Sequence, residues 1–498
     1  MFCWQCWVCH IHVSAAHSAQ KWSVNDDGSH GRDMVLNRLP ISLKVGAALI
    51  LSMLVASGCA AGPAATAPGQ GTRMALPHET STPLPAFASW IATGDGPDRH
   101  FGFTVAAAGD VNADGCADVI IGDDRYKQFV GRVFVYTGAA SGLGTAPVFI
   151  ATGETVNNHF GYAAGTAGDP NGDGYDDIVV GAYHWYRFRG QVYLYTASGA
   201  GLRGAPALTL AGDAENDYLG RSVAGAGDVN GDGYDDVVMA AQGYDNSTGR
   251  IYLYTGGPNG LTGTPLSVVN GEGPADSFGV SLAAAGDVNG DGYADVIVGA
   301  IGYGDFVGRA YLFAGGPTGL DSSPMWIATG ESAGSSFGRS VADAGDVNGD
   351  GYSDAVIGAP GYNNSTGRVY LYAGGPGGLR ASPMMVLTGE QQEHFGWAVA
   401  GAGDINGDGY DDVIVGADRF INLTGRIHIY PGTPHGLSAT ALLTFTGEGP
   451  DNFFGHSVAG VGDVNADGYD DFLVGAYGYD GSRGRVYLYL GKSGAASD

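Results

Sequence analysis

An all-β fold, seven four-stranded blades closed into a β-propeller, is what this sequence predicts, and three observations predict it. First, an acidic motif recurs with its leading aspartate at Asp110, Asp169, Asp228, Asp287, Asp346, Asp404 and Asp463, in steps of 59, 59, 59, 59, 58 and 59 residues. Second, each unit holds four short apolar or small-residue runs separated by glycine turns, without helical periodicity. Third, the last unit stops one strand short after Val486–Leu490. That missing strand stands at the other terminus as Ala88–Gly94, a near copy of Met325–Gly330.

Within a unit the order is constant. An apolar run ends in Thr-Gly-Glu or a variant, and a polar loop leads to Phe-Gly. A small-residue strand, the acidic loop, an apolar strand, a further loop and a Gly-Arg-Val-Tyr-Leu-Tyr strand follow. In the third unit Tyr252 and Tyr254 alternate with Ile251 and Leu253, so both faces are apolar, as a sheet packed between two others requires. An open solenoid would want atypical capping repeats at both ends. Here the N-terminal strand instead completes the seventh blade, which removes the free edges.

Bulk composition excludes several functions. With 23 Lys+Arg and a formal net charge of −28, the chain lacks the clustered cations that nucleic acid demands. Hydrophobic residues at 44% exclude a disordered acidic tail. The N-terminal region reads as export machinery. Residues 1–33, with Cys3, Cys6, Cys9 and His10, lack a second ligand pair at zinc spacing and precede a plausible start at Met34. Residues 34–58 run basic (Arg38, Lys44), apolar (Val45–Ala56) and then small, the order of a secretory signal, and the apolar stretch is too short to span a bilayer. Ala56-Ser57-Gly58-Cys59 resembles a bacterial lipobox, which implies lipidation of Cys59, although Ala56 stands where that motif favours Leu. Residues 59–85 are a Pro/Ala/Gly/Thr-rich tether able to reach roughly 80 Å at about 3.1 Å per residue. The propeller is expected over 86–498. After processing, Cys59 and Cys116 would remain, too few for a disulfide framework.

The acidic loops have the form D-x-N-x-D-G-x-x-D. Oxygen donors at alternate positions around a glycine turn suit Ca²⁺, which takes six to eight oxygens; Mg²⁺ keeps more water. The expected ligands are Asp110, Asn112, Asp114, Cys116 and Asp118 in the first unit, and Asp169, Asn171, Asp173, Tyr175 and Asp177 in the second. In the third they are Asp228, Asn230, Asp232, Tyr234 and Asp236, and in the fourth Asp287, Asn289, Asp291, Tyr293 and Asp295. The fifth supplies Asp346, Asn348, Asp350, Tyr352 and Asp354. The last two supply Asp404, Asn406, Asp408, Tyr410 and Asp412, then Asp463, Asn465, Asp467, Tyr469 and Asp471. Position seven donates its backbone carbonyl, so Cys116 serves there as a packing substitute for tyrosine. Position eight varies (Asp176, Asp235 and Asp411 against Ala117, Ala294 and Ser353) and is not expected to be a ligand. Position twelve is apolar throughout, which excludes an EF-hand. Up to seven Ca²⁺ would bring −28 to −14.

The Phe-Gly elements (Phe101-Gly102, Phe160-Gly161, Phe278-Gly279, Phe337-Gly338, Phe395-Gly396 and Phe454-Gly455, with Leu219-Gly220 departing) and Gly358-Ala359-Pro360 resemble the FG-GAP repeat family, known from the N-terminal propeller of integrin α chains. The resemblance covers residue 86 onward. It implies a seven-bladed propeller with Ca²⁺ on one face and ligand contacts on the other. Integrin α chains carry such loops in some blades, whereas here all seven have one. The even spacing leaves no room for an inserted domain and no leg domains follow, so a free-standing tethered propeller is expected rather than a heterodimeric receptor.

Function is then expected on the face opposite the calcium. There one stretch breaks the repeat: Tyr183, His184, Trp185, Tyr186 and Arg187, continuing to Arg189, an aromatic and arginine mixture found at binding hot spots and sugar-stacking surfaces. His159, His394 and His456 sit beside Phe-Gly in different units with no nucleophile motif, so no enzyme is expected. The expected role is binding or adhesion to a protein ligand on a cell surface or matrix. A calcium-dependent lectin is the alternative, and an enzyme on a propeller scaffold ranks below it. Membrane contact is expected through the lipid anchor alone, at the outer membrane or cell surface of a bacterium. In that setting the Asn-x-Ser/Thr sites at Asn246, Asn364 and Asn422 carry no glycan.

Overall fold

Seven antiparallel sheets of four strands each make up the described residues. The computed structural model describes residues 88–492, all within one compact unit, Pro77–Asp498. The predicted signal peptide, Cys59, the whole tether and the stretch upstream of Met34 lie outside the described residues. Six sheets take four strands consecutive in sequence. In the first of these, β2 (Phe101–Gly109), β3 (Asp118–Asp123), β4 (Arg132–Tyr136) and β5 (Phe149–Thr152) lie in that order.

The seventh sheet is the exception, and it closes the ring. Strand β1 (Trp90–Thr93) pairs with β28 (Arg485–Tyr489), which pairs with β27 (Asp471–Ala476) and then β26 (Ser457–Gly462). The register sets Trp90 opposite Leu488 and Thr93 opposite Arg485. Ser457 Oγ also donates to the Gly102 carbonyl at 2.9 Å, joining the last blade to the first. The sequence-predicted seven-bladed propeller, pinned by its N-terminal strand, is the fold observed.

Burial follows strand position. All six residues of β3 are buried, as are their counterparts in the other blades, because both faces of each second strand meet neighbouring sheets. Fourth strands alternate, leaving Ile91, Ile150, Val268 and Ile327 exposed. First strands are rich in Ala and Gly and pack against one another around the axis. Between the second and third strands each blade adds a four-residue helical turn, such as Tyr244–Ser247, that no sequence periodicity announces. These turns are left-handed inside, with Asp245 and Asn246 at φ 44° and 58°. Asn, Asp and Gly tolerate that region best, and the segment is too short to register as a period.

The Phe-Gly pairs hold blade to blade. Phe160 is wholly buried and meets Tyr193 edge-on at 5.2 Å. Its backbone bridges to Gly131 of the preceding blade, and the same bridge recurs at Gly249–Phe278 and Gly308–Phe337. Gly161 needs its φ of 82° and its lack of a side chain, since a Cβ there would stand 2.8 Å from the Arg132 carbonyl oxygen.

Candidate functional site

Every acidic loop joins a first strand to a second strand, so all seven lie on one face. The chain enters each loop through a bulge: in the third blade the register slips between Gly225 and Gly227, and Gly227 has φ 71°. The position-one carboxylate then organises the turn. Asp228 Oδ1 accepts the Gly231 and Asp232 amides at 2.7 and 3.0 Å, and Oδ2 accepts Gly233 N–H at 2.8 Å. Asn230 Oδ1 accepts Asp232 N–H and Asp232 Oδ1 accepts Tyr234 N–H, at 2.8 and 3.1 Å. Positions one, three and five therefore turn their oxygens inward around the glycine.

Position nine lies deeper. Asp236 is fully buried, with Oδ2 accepting Val229 N–H and Oδ1 accepting Gly256 N–H. In the second, fifth and sixth blades the position-three amide reaches it, Asn171 to Asp177 at 3.2 Å, Asn348 to Asp354 at 3.0 Å and Asn406 to Asp412 at 3.2 Å. Burial pushes the Asp118, Asp177, Asp236, Asp354, Asp412 and Asp471 carboxyls up to about 7, and Asp295 to about 6. Backbone amides oppose that rise, while the carboxylates at positions one and five add to it. Cys116 is buried, and burial followed by the neighbouring Asp114 pushes its thiol up. Its amide donates to Asp114 Oδ1 as the tyrosines' do, so it holds the loop as they do.

Whether this donor set fits a cation rests on its chemistry. All side-chain donors are hard oxygens, which suits Ca²⁺ rather than a thiophilic metal. Among the described residues, no three His, Cys, Asp or Glu side chains are grouped as a ready metal site. A cation here would draw on the asparagine and the position-seven carbonyl as well, and would share acidic oxygens that now accept backbone amides. On those terms the residues fit.

Position eight has a separate task. Asp110 N–H donates to Asp176 Oδ2 of the next blade at 2.7 Å, and Asp169, Asp346 and Asp404 do the same to Asp235, Asp411 and Asp470. A glycine makes the room, because a Cβ on Gly109 would collide with Asp176 Oδ2. Where position eight is Ala117, Ala294 or Ser353 no such clasp exists, which explains why this position varies without changing the loop.

On the opposite face most repeated charge is already committed. Arg368 donates to Glu331 of the preceding blade at 2.7 Å and lies over the Tyr362 ring at 3.9 Å. Arg309–Glu272, Arg426–Glu390 and Arg485–Glu448 repeat the pattern. The Thr-Gly-Glu and Gly-Arg elements, on the face where function was expected, thus fasten neighbouring blades. Histidines are committed too. His100 and His159 approach the buried Asp124 at 3.4 and 3.0 Å, and His456 bonds Asp418 at 3.1 Å while His394 stands 3.6 Å away. Burial alone would raise the Asp418 carboxyl; its histidine neighbours reverse that and hold it down at about 2. These aspartates lie far from their partners in sequence, so no local signal could have paired them.

The aromatic stretch splits. Tyr183 is buried against Tyr162 at 4.4 Å, and the His184 ring lies tilted against it at 4.0 Å. Trp185 is half-buried. Tyr186 is 61% exposed, and Arg187 reaches Glu215 at 2.5 Å. Tyr186, Arg187 and Phe188 are therefore exposed, and Tyr183 lies in the packing beneath them.

Known proteins share this pattern. The FG-GAP repeat model matches residues 101–136, 337–372, 395–430 and 454–489, and the FG-GAP-like repeat model matches 169–239 and 228–298. Integrin alpha-5 of Xenopus laevis is 35% identical over 217 residues, 41% of this chain and 20% of that one. Integrin alpha-PS2 of Drosophila melanogaster is 36% identical over 225 residues, covering 41% and 15%. Integrin alpha-6 of Gallus gallus is 34% identical over 241 residues, covering 46% and 21%. The chain thus spans about a fifth of the length of the integrin α chains it matches.

Proposed function

From a chain built of FG-GAP repeats similar to those of integrin α chains, we propose a calcium-stabilised extracytoplasmic binding or adhesion module with a protein ligand. The observation that carries this is the division of labour between the two faces. All seven acidic loops lie at one end of the first strands, while the Phe-Gly loops and left-handed turns lie at the other. Ca²⁺ would be held by positions one, three, five and nine with the position-seven carbonyl, and would neutralise carboxylates that otherwise repel one another. The protein's own part is to hold those oxygens on a hydrogen-bonded turn fixed to a buried strand.

The role is one of binding rather than catalysis: the histidines beside Phe-Gly are engaged with Asp124 and Asp418. Lipidation of Cys59 after removal of residues 34–58 would tether the propeller through residues 59–85 to an outer membrane or cell surface. No helix among the described residues is long and apolar enough to cross a membrane. A calcium-dependent lectin is the second reading, favoured by exposed Tyr186 and Phe188 flanking Arg187.

Calcium titration of the metal-stripped protein, followed by native mass spectrometry, tests the metal. Several bound Ca²⁺ and a higher melting temperature are expected, with one ion fewer in Asp232→Ala. No bound ion and no thermal shift would remove calcium from the account. A glycan array with and without EDTA, using Tyr186→Ala as the variant, separates the lectin from the protein-ligand reading.

A further inference from the structure

The residue after each Phe-Gly was not singled out by the repeat, yet the seven meet at the propeller axis. Phe103, Tyr162, Arg221, Val280, Arg339 and Trp397, with His456, line a cavity of about 300 Å³ at the axial mouth away from the acidic loops. They form a nearly continuous ring. His456 and Phe103 are 5.0 Å apart, Phe103 and Tyr162 5.0 Å, and Trp397 and His456 5.5 Å. Arg221 lies over Tyr162 at 5.1 Å and Arg339 over Trp397 at 4.1 Å. The small Val280 leaves the space between the two arginines open.

Both cations lack a counter-ion. Every arginine of the interblade pairs described above has its carboxylate, but among the described residues the side chains of Arg221 and Arg339 make no hydrogen bond or ion pair. Arg221 Nε is buried without an acceptor. Arg339 is half-buried, with protein packed around its guanidinium. Burial pushes its pKa down, Arg221's charge pushes the same way, and Tyr162 and Asp418 act against them. The nearby Asp418 has an oxygen bonded to His456. Two guanidinium groups in one cup, partly desolvated and unpaired, are costly unless an acceptor arrives.

We propose that this axial cup is a binding site for a carboxylate borne on a flat or apolar-faced group, its oxygens taken by Arg221 and Arg339 and its body stacked between Trp397 and Tyr162. Guanidinium forks match carboxylates in charge and geometry, and aromatic walls match a ring or short aliphatic stem. The cavity holds about one sugar residue or one side chain. The net charge of −28 does not forbid an anion. First strands of six or more residues put the acidic loops roughly 20 Å away at about 3.3 Å per residue. That is more than two Debye lengths at about 8 Å in physiological salt. The site deepens the binding-module reading but depends neither on calcium nor on the Tyr186 loop.

Benzoate is the probe and benzamide its neutral match, titrated into the full chain by calorimetry and by fluorescence. Saturable benzoate binding is expected, at least tenfold tighter than benzamide, with a fluorescence change absent in Trp397→Phe. Arg221→Gln and Arg339→Gln should each weaken benzoate at least tenfold, while Arg203→Gln, at an exposed arginine, leaves it unchanged. Glucuronate against N-acetylglutamate then distinguishes a glycan source of the carboxylate from a peptide source. Equal affinity for benzoate and benzamide, or no binding to protein with an intact circular dichroism spectrum, would overturn the site. Neither result touches the calcium or glycan-array tests, so the two readings fail separately.

Discussion

Asp176 and Asp177 are neighbours with the same side chain and different work. Asp177 is buried, and one of its oxygens accepts the amide of Ala197 from its own blade. Asp176 reaches across to the Asp110 amide of the blade before. Removing a charged acceptor from a backbone donor costs about 1–3 kcal/mol. Asp176→Ala should therefore lower unfolding stability by about that amount in denaturant melts, while the number of bound Ca²⁺ stays the same. Loss of an ion in that variant would make position eight a ligand. Repetition of the motif made positions one, three, five and nine legible. The clasp by position eight was not, because a hydrogen bond between residues 66 apart leaves no trace in a single unit.

At the scale of elements, the third strand and the outer rim act together. Arg368 opens its strand, pairs with Glu331 from the preceding blade, and lies on Tyr362 of its own left-handed turn. The pair is partly exposed, so its ionic part is worth about 0.2–1 kcal/mol, and the stacking adds about 0.5–1 kcal/mol. A double-mutant cycle of Arg368→Ala with Glu331→Ala should show positive coupling within the first range. Arg368→Ala alone should cost more than Glu331→Ala, because it also forfeits the stack. Coupling of zero would reduce the repeated Thr-Gly-Glu and Gly-Arg elements to surface charge. Those elements were conspicuous in the sequence as parts of the repeat, but a single unit does not say what they pair with. Only the neighbouring blade shows that they face each other.

Closure belongs to the whole molecule. Strand β1 hydrogen-bonds to β28 and fills the seventh sheet, so every blade has two neighbours. Deleting Trp90–Thr93 would bare β28 as an edge and expose the apolar face that Trp90 covers beside Tyr136. The truncated protein should melt at lower temperature and self-associate in light scattering, whereas Ile91→Thr, on the exposed side of the same strand, should behave as the parent. A truncated monomer of unchanged stability would mean that the ring holds without its latch.

The sequence by itself determined the number of blades, the strand order, the closing strand and the composition of the acidic loops, because each is a local pattern repeated seven times. Tertiary structure alone decided which charges are already paired, that Tyr183 packs inward while Tyr186 faces out, and that seven residues from seven blades surround one axial cup. Radial symmetry is the physical reason. It brings equivalent positions of distant units to a common axis, and there a substitution that looks incidental along the chain, valine in one unit and arginine in the two beside it, becomes the shape and charge of a single site.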